Sequence, residues 1–414
     1  MFKKIALENG LRIILAPQKE SLSTTVLVLV EAGSKYETKE INGISHFLEH
    51  MCFKGTEKRP KKIDISGELD NIGAVYNAFT SLEYTGYYTK ARPDHLDNIL
   101  DVVSDIYLNQ IFDPKEIDKE RNVIIEEINM EEDLPMRKVQ WMFLELLYGD
   151  QPAGWDVGGK KEVIKILTRD DFLKYRSRNY VAESTMVVVA GKFKEEEIVE
   201  KIKSYFVGIS DKKKFSKIKT IERQEEPKVF LKHKETDQTH IVLGVRAFDV
   251  FDDRKYALDV LADILGGGMS SRLFQKIREE MGAAYYIGAG ADLFTDHGYL
   301  AVSAGIDHNK IDSVIKTVLD ELRKISEETI DDKELNRAKE HLVGNLILNL
   351  ETSNQLAGFY GGQEVLTREI LTLEELIKKI QKVKKEEIIS IAKDIFQNSK
   401  LNLALIGPFR EKER

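Results

Sequence analysis

The 414-residue sequence predicts an α+β protein built as two similar halves. Three observations lead there. An Asn-Gly turn near the start joins Lys4–Leu7 to Leu11–Leu15, the mark of an antiparallel hairpin. Strand-length apolar runs then mix with helical patterns as far as about residue 209. Ser210–Pro227 is rich in lysine and glutamate and poor in apolar residues, and it separates this part from a second that echoes it. The expected division is 1–209, a charged linker 210–227, and 228–414.

Composition narrows the function. Apolar residues make up 42% and charged residues 32%, as in ordinary globular chains. A net charge of -8 argues against a polyanionic partner, so no nucleic acid is expected. The one cysteine, Cys52, allows no internal disulfide and reads as a buried small apolar residue rather than a catalytic thiol. The opening Met1-Phe2-Lys3-Lys4-Ile5 lacks a long apolar core, and no apolar run approaches a membrane span. These features predict a cytoplasmic protein without a membrane span.

In chain order, Ser23–Glu31 is β-branched and predicts a strand leading through Gly33 into Ile41–Met51. That stretch holds His46-x-x-Glu49-His50. As a helix it places the two histidines about 40° apart on one face, one turn above each other. Two imidazoles so placed form the usual helical half of a zinc site. Glu49 before the second histidine gives the inverted zincin order, in which the glutamate is a base and not a ligand. An ordinary polar helical face has the same spacing, so a third ligand is needed downstream. Ile44, Phe47, Leu48 and Met51 supply the packing face, Asn42 suits the cap, and Gly55 suits the end.

Lys61–Ile72 predicts a second helix. Gly73–Thr80 predicts a strand with Tyr84–Thr89 as its hairpin partner. Pro93–Gln110 is helical. Asp113-Pro114-Lys115-Glu116 has the chemistry of a helix start and opens a helix running to about Asp133. On it Glu120, Val123, Ile124, Glu127, Ile128 and Glu131 recur at three- and four-residue steps. Seven residues return the helix to within roughly 20°, so Glu120 and Glu127 share an apolar stripe, whereas Glu126 lies about 100° away. Acidic groups on an apolar stripe are costly unless paired or bound to metal. Glu127 is therefore the candidate ligand, and Glu120 is placed to accept a hydrogen bond from a ligand histidine. A solvated acidic helix is the alternative. Trp141–Tyr148, Thr168–Asn179 and Lys194–Gly208 predict further helices, Gln151–Gly159 a Gly-rich loop, and Thr185–Ala190 a buried strand.

The second half echoes the first. Gly282-Ala283-Ala284-Tyr285 parallels Gly73-Ala74-Val75-Tyr76, and the helix start at Ile330–Leu335 parallels Phe112–Ile117. The metal residues do not recur. Leu258, Leu261 and Ala262 stand where His46, Glu49 and His50 would be, and Ala338 and Asn345 replace Glu120 and Glu127. Gly266-Gly267-Gly268 lacks a phosphate-loop ending and reads as a loosely packed helix boundary before a helix carrying Arg278. Arg278 and Tyr285 are either surface residues or holders of a substrate carbonyl.

Taken together, the chain resembles the pitrilysin/insulinase-type metallopeptidases, the inverzincins, and within them the processing-peptidase β-subunit and its bacterial homologues. Gly43–Met51 resembles their metal helix. Glu127 matches their third zinc ligand, and Glu120 the acid behind a ligand histidine. Asn77-Ala78-Phe79-Thr80 resembles their substrate-binding edge strand. Arg278 and Tyr285 match a pair their second half offers to substrate. The resemblance implies two α+β domains, each a mostly antiparallel β-sheet packed with helices, arranged as a clam around a chamber. It implies one Zn2+ per chain, hydrolysis of internal bonds in unfolded peptides, and chains that work in pairs, as homodimers or as an active subunit with an inactive partner. The zinc residues and the Arg278 and Tyr285 pair are both present here, which favours a homodimer. Glu49 would be the base, with Tyr285 and Arg278 at the oxyanion. A non-catalytic scaffold or assembly subunit of the same family is the alternative.

Overall fold

Two β-sheets, each clothed in helices, organise the chain in the computed structural model, which describes residues 2–409. Unit 1 takes the chain up to Asn129, Trp155–Ile218 and Leu348–Thr372. Unit 2 takes Met130–Gly154, Lys219–Ile347 and the chain from Leu373 on.

The sheet of unit 1 has six strands: β1 (Lys3–Ala6), β2 (Arg12–Pro17), β3 (Thr24–Val30), β4 (Val75–Thr80), β5 (Thr85–Ala91) and β6 (Thr185–Gly191). Their order is β1-β2-β6-β3-β5-β4. Only β2 and β6 run parallel. Around it lie α1 (Ile44–Met51), α2 (Lys62–Asn71), α3 (Leu96–Leu108), most of α4 (Pro114–Asp133), α6 (Lys161–Ile164), α7 (Arg169–Asn179), α8 (Glu195–Tyr205) and α12 (Ser353–Thr367). β3 and β6 are buried along their whole length, because both faces are covered. Val26, Val28, Val187 and Val189 join the core that includes Ile99, Phe172 and Ile198. The opposite face offers Leu27, Leu29 and Val188 to Ala357, Tyr360 and Val365 of α12.

The sheet of unit 2 has β7 (Lys228–His233), β8 (Thr239–Ala247), β9 (Ala284–Leu293), β10 (Gly298–Ile306) and β11 (Asn402–Gly407), in the order β7-β11-β8-β10-β9. With it go α5 (Pro135–Tyr148), α9 (Lys255–Gly266), α10 (Ile311–Glu327), most of α11 (Asp332–Leu348), α13 (Leu373–Lys382) and α14 (Lys385–Ile395). One face carries the core built on Leu258, Leu261 and Val314. The other face, with Val242, Ala301 and Ala404, is covered by Val139, Phe143 and Leu147 of α5. Phe143 lies so close over Gly244 that a Cβ there would sit 2.8 Å from its ring.

With β1 set aside, the two sheets match strand for strand. β2-β6-β3-β5-β4 corresponds to β7-β11-β8-β10-β9, and the parallel pair takes the same place in both. Gly73 (φ 64°) and Gly282 (φ 55°) both stand two residues before the edge strands β4 and β9 in the left-handed region. The helix starts match as well: Ile117 N–H donates to Asp113 O and Leu335 N–H to Asp331 O, each at 2.9 Å.

Three expectations change. The packing units do not follow the boundary at 210–227, because α5 from the first half completes unit 2 and α12 from the second completes unit 1. That helix starts at Pro135, earlier than expected from Trp141, since Pro135 suits the first helical position and the polar stretch after it reaches Val139 in the core. Gly266–Gly268 is tightly packed, not loose: a Cβ on Gly266 would meet Ala289 N at 2.2 Å. The linker itself has no helix or strand of its own, but it is anchored. Lys214 pairs with Glu31 at 2.9 Å and Phe215 lies 3.0 Å from the Arg178 guanidinium.

Buried charges pin α12 to its sheet. Arg12 bonds Glu31 at 2.6 Å and Glu364 of α12 at 3.1 Å, and Lys4 reaches the second oxygen of Glu364 at 2.7 Å. Arg12→Ala removes the cation the two buried carboxylates share, leaving Glu31 to Lys214 and Arg368 and Glu364 to Lys4, and is expected to cost about 2 kcal/mol. A urea denaturation midpoint unchanged from wild type would contradict this account.

Candidate metal centre

The site begins with a short helix that needs help to start. α1 has eight residues, and its first N–H groups lack intrahelical acceptors. Asn42 does not cap it. Gly43 precedes the helix at φ 95°, and the carboxylate of Glu37 serves as the cap from outside. Glu37 Oε2 accepts from Gly43 N at 2.8 Å and from Asn42 Nδ2 at 3.0 Å, while Oε1 accepts from Ser45 N at 2.8 Å. Burial pushes this carboxyl up to about 7, against the pull of those hydrogen bonds. Ser45 Oγ is held by Tyr175 Oη at 2.7 Å. Gly43 is required twice over: a Cβ there would also lie 2.8 Å from Gly158 O.

From this helix His46 and His50 turn their rings toward α4, 4.7 Å apart and edge to face. His46 Nε2 lies 3.9 Å and His50 Nε2 3.6 Å from Glu127 Oε2. One ligand atom from each of the three residues lies within 4.8 Å of the others. Among the described residues this is the one group of three or more His, Cys, Asp or Glu side chains so arranged. Glu126, set aside on helical phase, is not in it.

The donor set fits a zinc ion. Two imidazoles and a carboxylate are the three-ligand set that leaves a position open for chemistry. Burial, and next the neighbouring His50, push His46 down to about 4, so its ring stays neutral and able to ligate. Its Nδ1 is buried without a hydrogen-bond partner. His50 differs. Burial pulls it down, but the hydrogen bond from Nδ1 to Glu120 Oε1 at 2.9 Å and the charges of Glu127, Glu49 and Glu120 outweigh this and raise it. Glu120 in turn is held by Lys54 as well as by His50, and despite burial these bonds keep it below the usual carboxylate range. Lys54 lies four residues after His50, so reading the motif one turn further would have found it.

Glu49 is 9% exposed, and burial raises its carboxyl. Thr80 opposes that shift by donating its hydroxyl to Glu49 Oε2 at 2.6 Å. Thr80 closes β4, an edge strand with partners on one side only. Asn77, Ala78 and Phe79 lie on this strand, as expected. Ala78 N–H is met by Asn77 Oδ1 at 2.9 Å. Phe79 is only partly available: its ring covers Gly86 of β5 and lies edge-on to Tyr84. A cavity of about 350 Å³ opens beside Glu49 and His50, walled by Phe53, Ile65, Tyr76 and Asn77. In unit 2, Arg278 lies on a π-helical turn, Phe274–Glu280, with its guanidinium 6.0 Å from the Tyr285 ring, so the structure brings these two residues together. Tyr285 is 73% exposed. Sequence reasoning missed the roles of Glu37 and Thr80, which reach α1 from a loop and from the end of β4, where helical phase gives no signal.

The protonation states give a pH prediction. His46 carries no proton near neutrality, whereas His50 holds one to a pH above the ordinary histidine value. Zinc binding should therefore release a proton in mildly acidic buffer, with affinity rising and proton release falling as the pH passes through the His50 value. Titration calorimetry in buffers of different ionisation enthalpy reads this directly, and a proton release independent of pH would contradict it.

Comparison with known proteins follows the same lines. Residues 12–159 match the model described as Insulinase (Peptidase family M16), and residues 167–342 match Peptidase M16 inactive domain. The chain is 35% identical over 408 residues to a Bacillus subtilis protein named "Uncharacterized zinc protease YmxG", covering 99% of this chain and 98% of that one. It is 32% identical to a Streptomyces coelicolor protein of similar name, SCO5738, covering 99% and 90%. A crystal structure of a protease from Helicobacter pylori superimposes with a TM-score of 0.92 at 24% identity over 99% of both chains, which speaks to the fold. Sequence and fold thus place the chain in peptidase family M16, the insulinase family of zinc proteases.

Proposed function

We propose that the chain is a zinc-dependent endopeptidase that cleaves internal bonds of unfolded peptides. The observation that carries this reading is the convergence of His46 Nε2, His50 Nε2 and a Glu127 oxygen beside a buried, hydrogen-bonded Glu49. His46, His50 and Glu127 would hold one zinc ion per chain, and Glu120 would orient His50 through Nδ1. The ion, when bound, supplies Lewis acidity to the scissile carbonyl and makes water acidic enough to yield a nucleophile. Glu49 takes the water proton and delivers it to the leaving amine. Its raised carboxyl suits both duties.

The substrate is proposed to add as a strand along the free edge of β4, beside Asn77 and Ala78. Backbone pairing of this kind reads an extended shape, which would favour unfolded peptides; the proposal includes an enclosed chamber that holds them. The cavity walled by Phe53, Ile65 and Tyr76 favours a bulky apolar side chain near the cleaved bond. Arg278 and Tyr285 are proposed to steady the substrate carbonyl or the oxyanion. A homodimer and a cytoplasmic location belong to the same proposal, and no helix among the described residues is long and apolar enough to cross a membrane.

A non-catalytic scaffold subunit is the competing reading. One structure of this fold, at 17% identity and a TM-score of 0.86, comes from Complex III2 of Candida albicans. Retention of all three donors together with Glu49 favours catalysis.

Glu49→Gln should keep its zinc and lose about 10²–10⁴-fold in kcat on an unstructured fluorogenic peptide. Wild-type activity should disappear with chelator and return with zinc. Zinc-loaded wild type that cleaves nothing would favour the scaffold. Light scattering over a range of concentrations should show a dimer, and a strictly monomeric active enzyme would sink that part of the proposal.

A further inference from the structure

The residues of β4 alternate between two surroundings. Val75, Asn77 and Phe79 are exposed, whereas Tyr76, Ala78 and Thr80 are half-buried. Two of the half-buried residues meet α1 and the turn after it. The Tyr76 ring stacks on Phe53 at 6.3 Å, and the Thr80 hydroxyl reaches Glu49 Oε2 at 2.6 Å. The edge strand is thus tied to the metal helix at both ends, and the tie at one end is to the candidate base itself.

Thr80 is well built for this duty. As a β-branched residue in a strand it has few side-chain rotamers. The chain after it is fixed too: Ser34 N–H donates to Ser81 O at 3.3 Å and Lys35 N–H to Leu82 O at 2.8 Å. Ser81 Oγ closes the turn on Tyr84 O at 2.9 Å. A side chain held this way keeps its Oγ beside Glu49 Oε2, and a bond to a carboxylate is among the stronger hydrogen bonds.

We propose that Thr80 is a positioning residue that occupies Glu49 Oε2, leaves Oε1 to take the water proton, and so makes the substrate-binding edge strand part of the support of the catalytic base. The inference rests on the peptidase reading above. A peptide laid along β4 would bear on the strand that orients Glu49, so orientation of the base belongs to turnover and not to binding.

The test uses the zinc-loaded full chain and an unstructured fluorogenic peptide, with kcat and KM read separately. Thr80→Val keeps the shape and removes the hydroxyl; Thr80→Ser restores it. The Val variant should hold as much zinc as wild type, keep KM within about twofold, and lose about tenfold or more in kcat. The Ser variant should recover most of that loss. The inference is overturned if Thr80→Val keeps its kcat, if its loss falls on KM, if it loses zinc, or if Thr80→Ser is equally impaired, since each would make the residue's role one of packing or binding. Wild type that cleaves nothing overturns the peptidase reading and this inference together, whereas an active wild type with an unaffected Val variant overturns only the latter.

Discussion

Everything at the metal centre hangs from the burial of one carboxylate at the start of a short helix. An isolated helix of eight residues has little stability of its own. Its direction and phase decide where His46, Glu49 and His50 stand. Glu37 settles both by gathering two backbone N–H groups and the Asn42 amide onto a single buried carboxylate. His46 follows one residue after Ser45, the last of these contacts, so error at the cap passes straight into ligand geometry. When ionised, Glu37 also meets the positive end of the helix dipole, which offsets part of its desolvation.

A second economy governs charge. Glu49, Glu120 and Glu127 crowd two imidazoles, and an unbalanced cluster of acids is costly when buried. Lys54 takes one oxygen of Glu120 while His50 takes the other, so that acid is neutralised without reaching toward the ligands. Unit 2 keeps a related device after losing the ligands. There Asp263 of α9 bonds His341 of α11 at 2.6 Å, and Asn345, at the position matching Glu127, lies 3.2 Å from the other ring nitrogen. The acid and the base have exchanged helices, but a histidine–carboxylate pair still joins the same two elements. The hydrogen-bonded pair is present in both repeats, and only the first has a further acid beside two histidines among the described residues.

Local periodicity carried most of what could be read in advance. Glu127, which the structure brings beside His46 and His50, was singled out because seven residues nearly complete two helical turns, a property of a single helix. The two-fold repeat was visible in a glycine before each edge strand and an aspartate before each long helix, because left-handed turns and helix starts restrict residue choice. Arg278 and Tyr285 could be paired only through the resemblance, since one lies on a π-helical turn and the other on a strand. The contacts of Glu37 and Thr80 with α1 left no trace, although Thr80 stood in the edge-strand motif: each acts on α1 from a separate loop or strand, and any acid or hydroxyl at those positions would look like surface. The exchange of α5 and α12 was equally hidden, because an apolar helical stripe shows that a partner is needed without saying which sheet provides it.

That exchange has a consequence for how the chain is made. By the time β6 leaves the ribosome, every strand of the first sheet has been synthesised, yet the face bearing Leu27, Leu29 and Val188 awaits residues 353–367. α5 meanwhile has been made long before the sheet on which Phe143 and Leu147 will rest. Each nascent half carries an uncovered apolar surface through most of translation, the circumstance in which chaperones engage a growing chain. The two halves cannot be finished one after the other, and completion of either core is an event of the whole polypeptide.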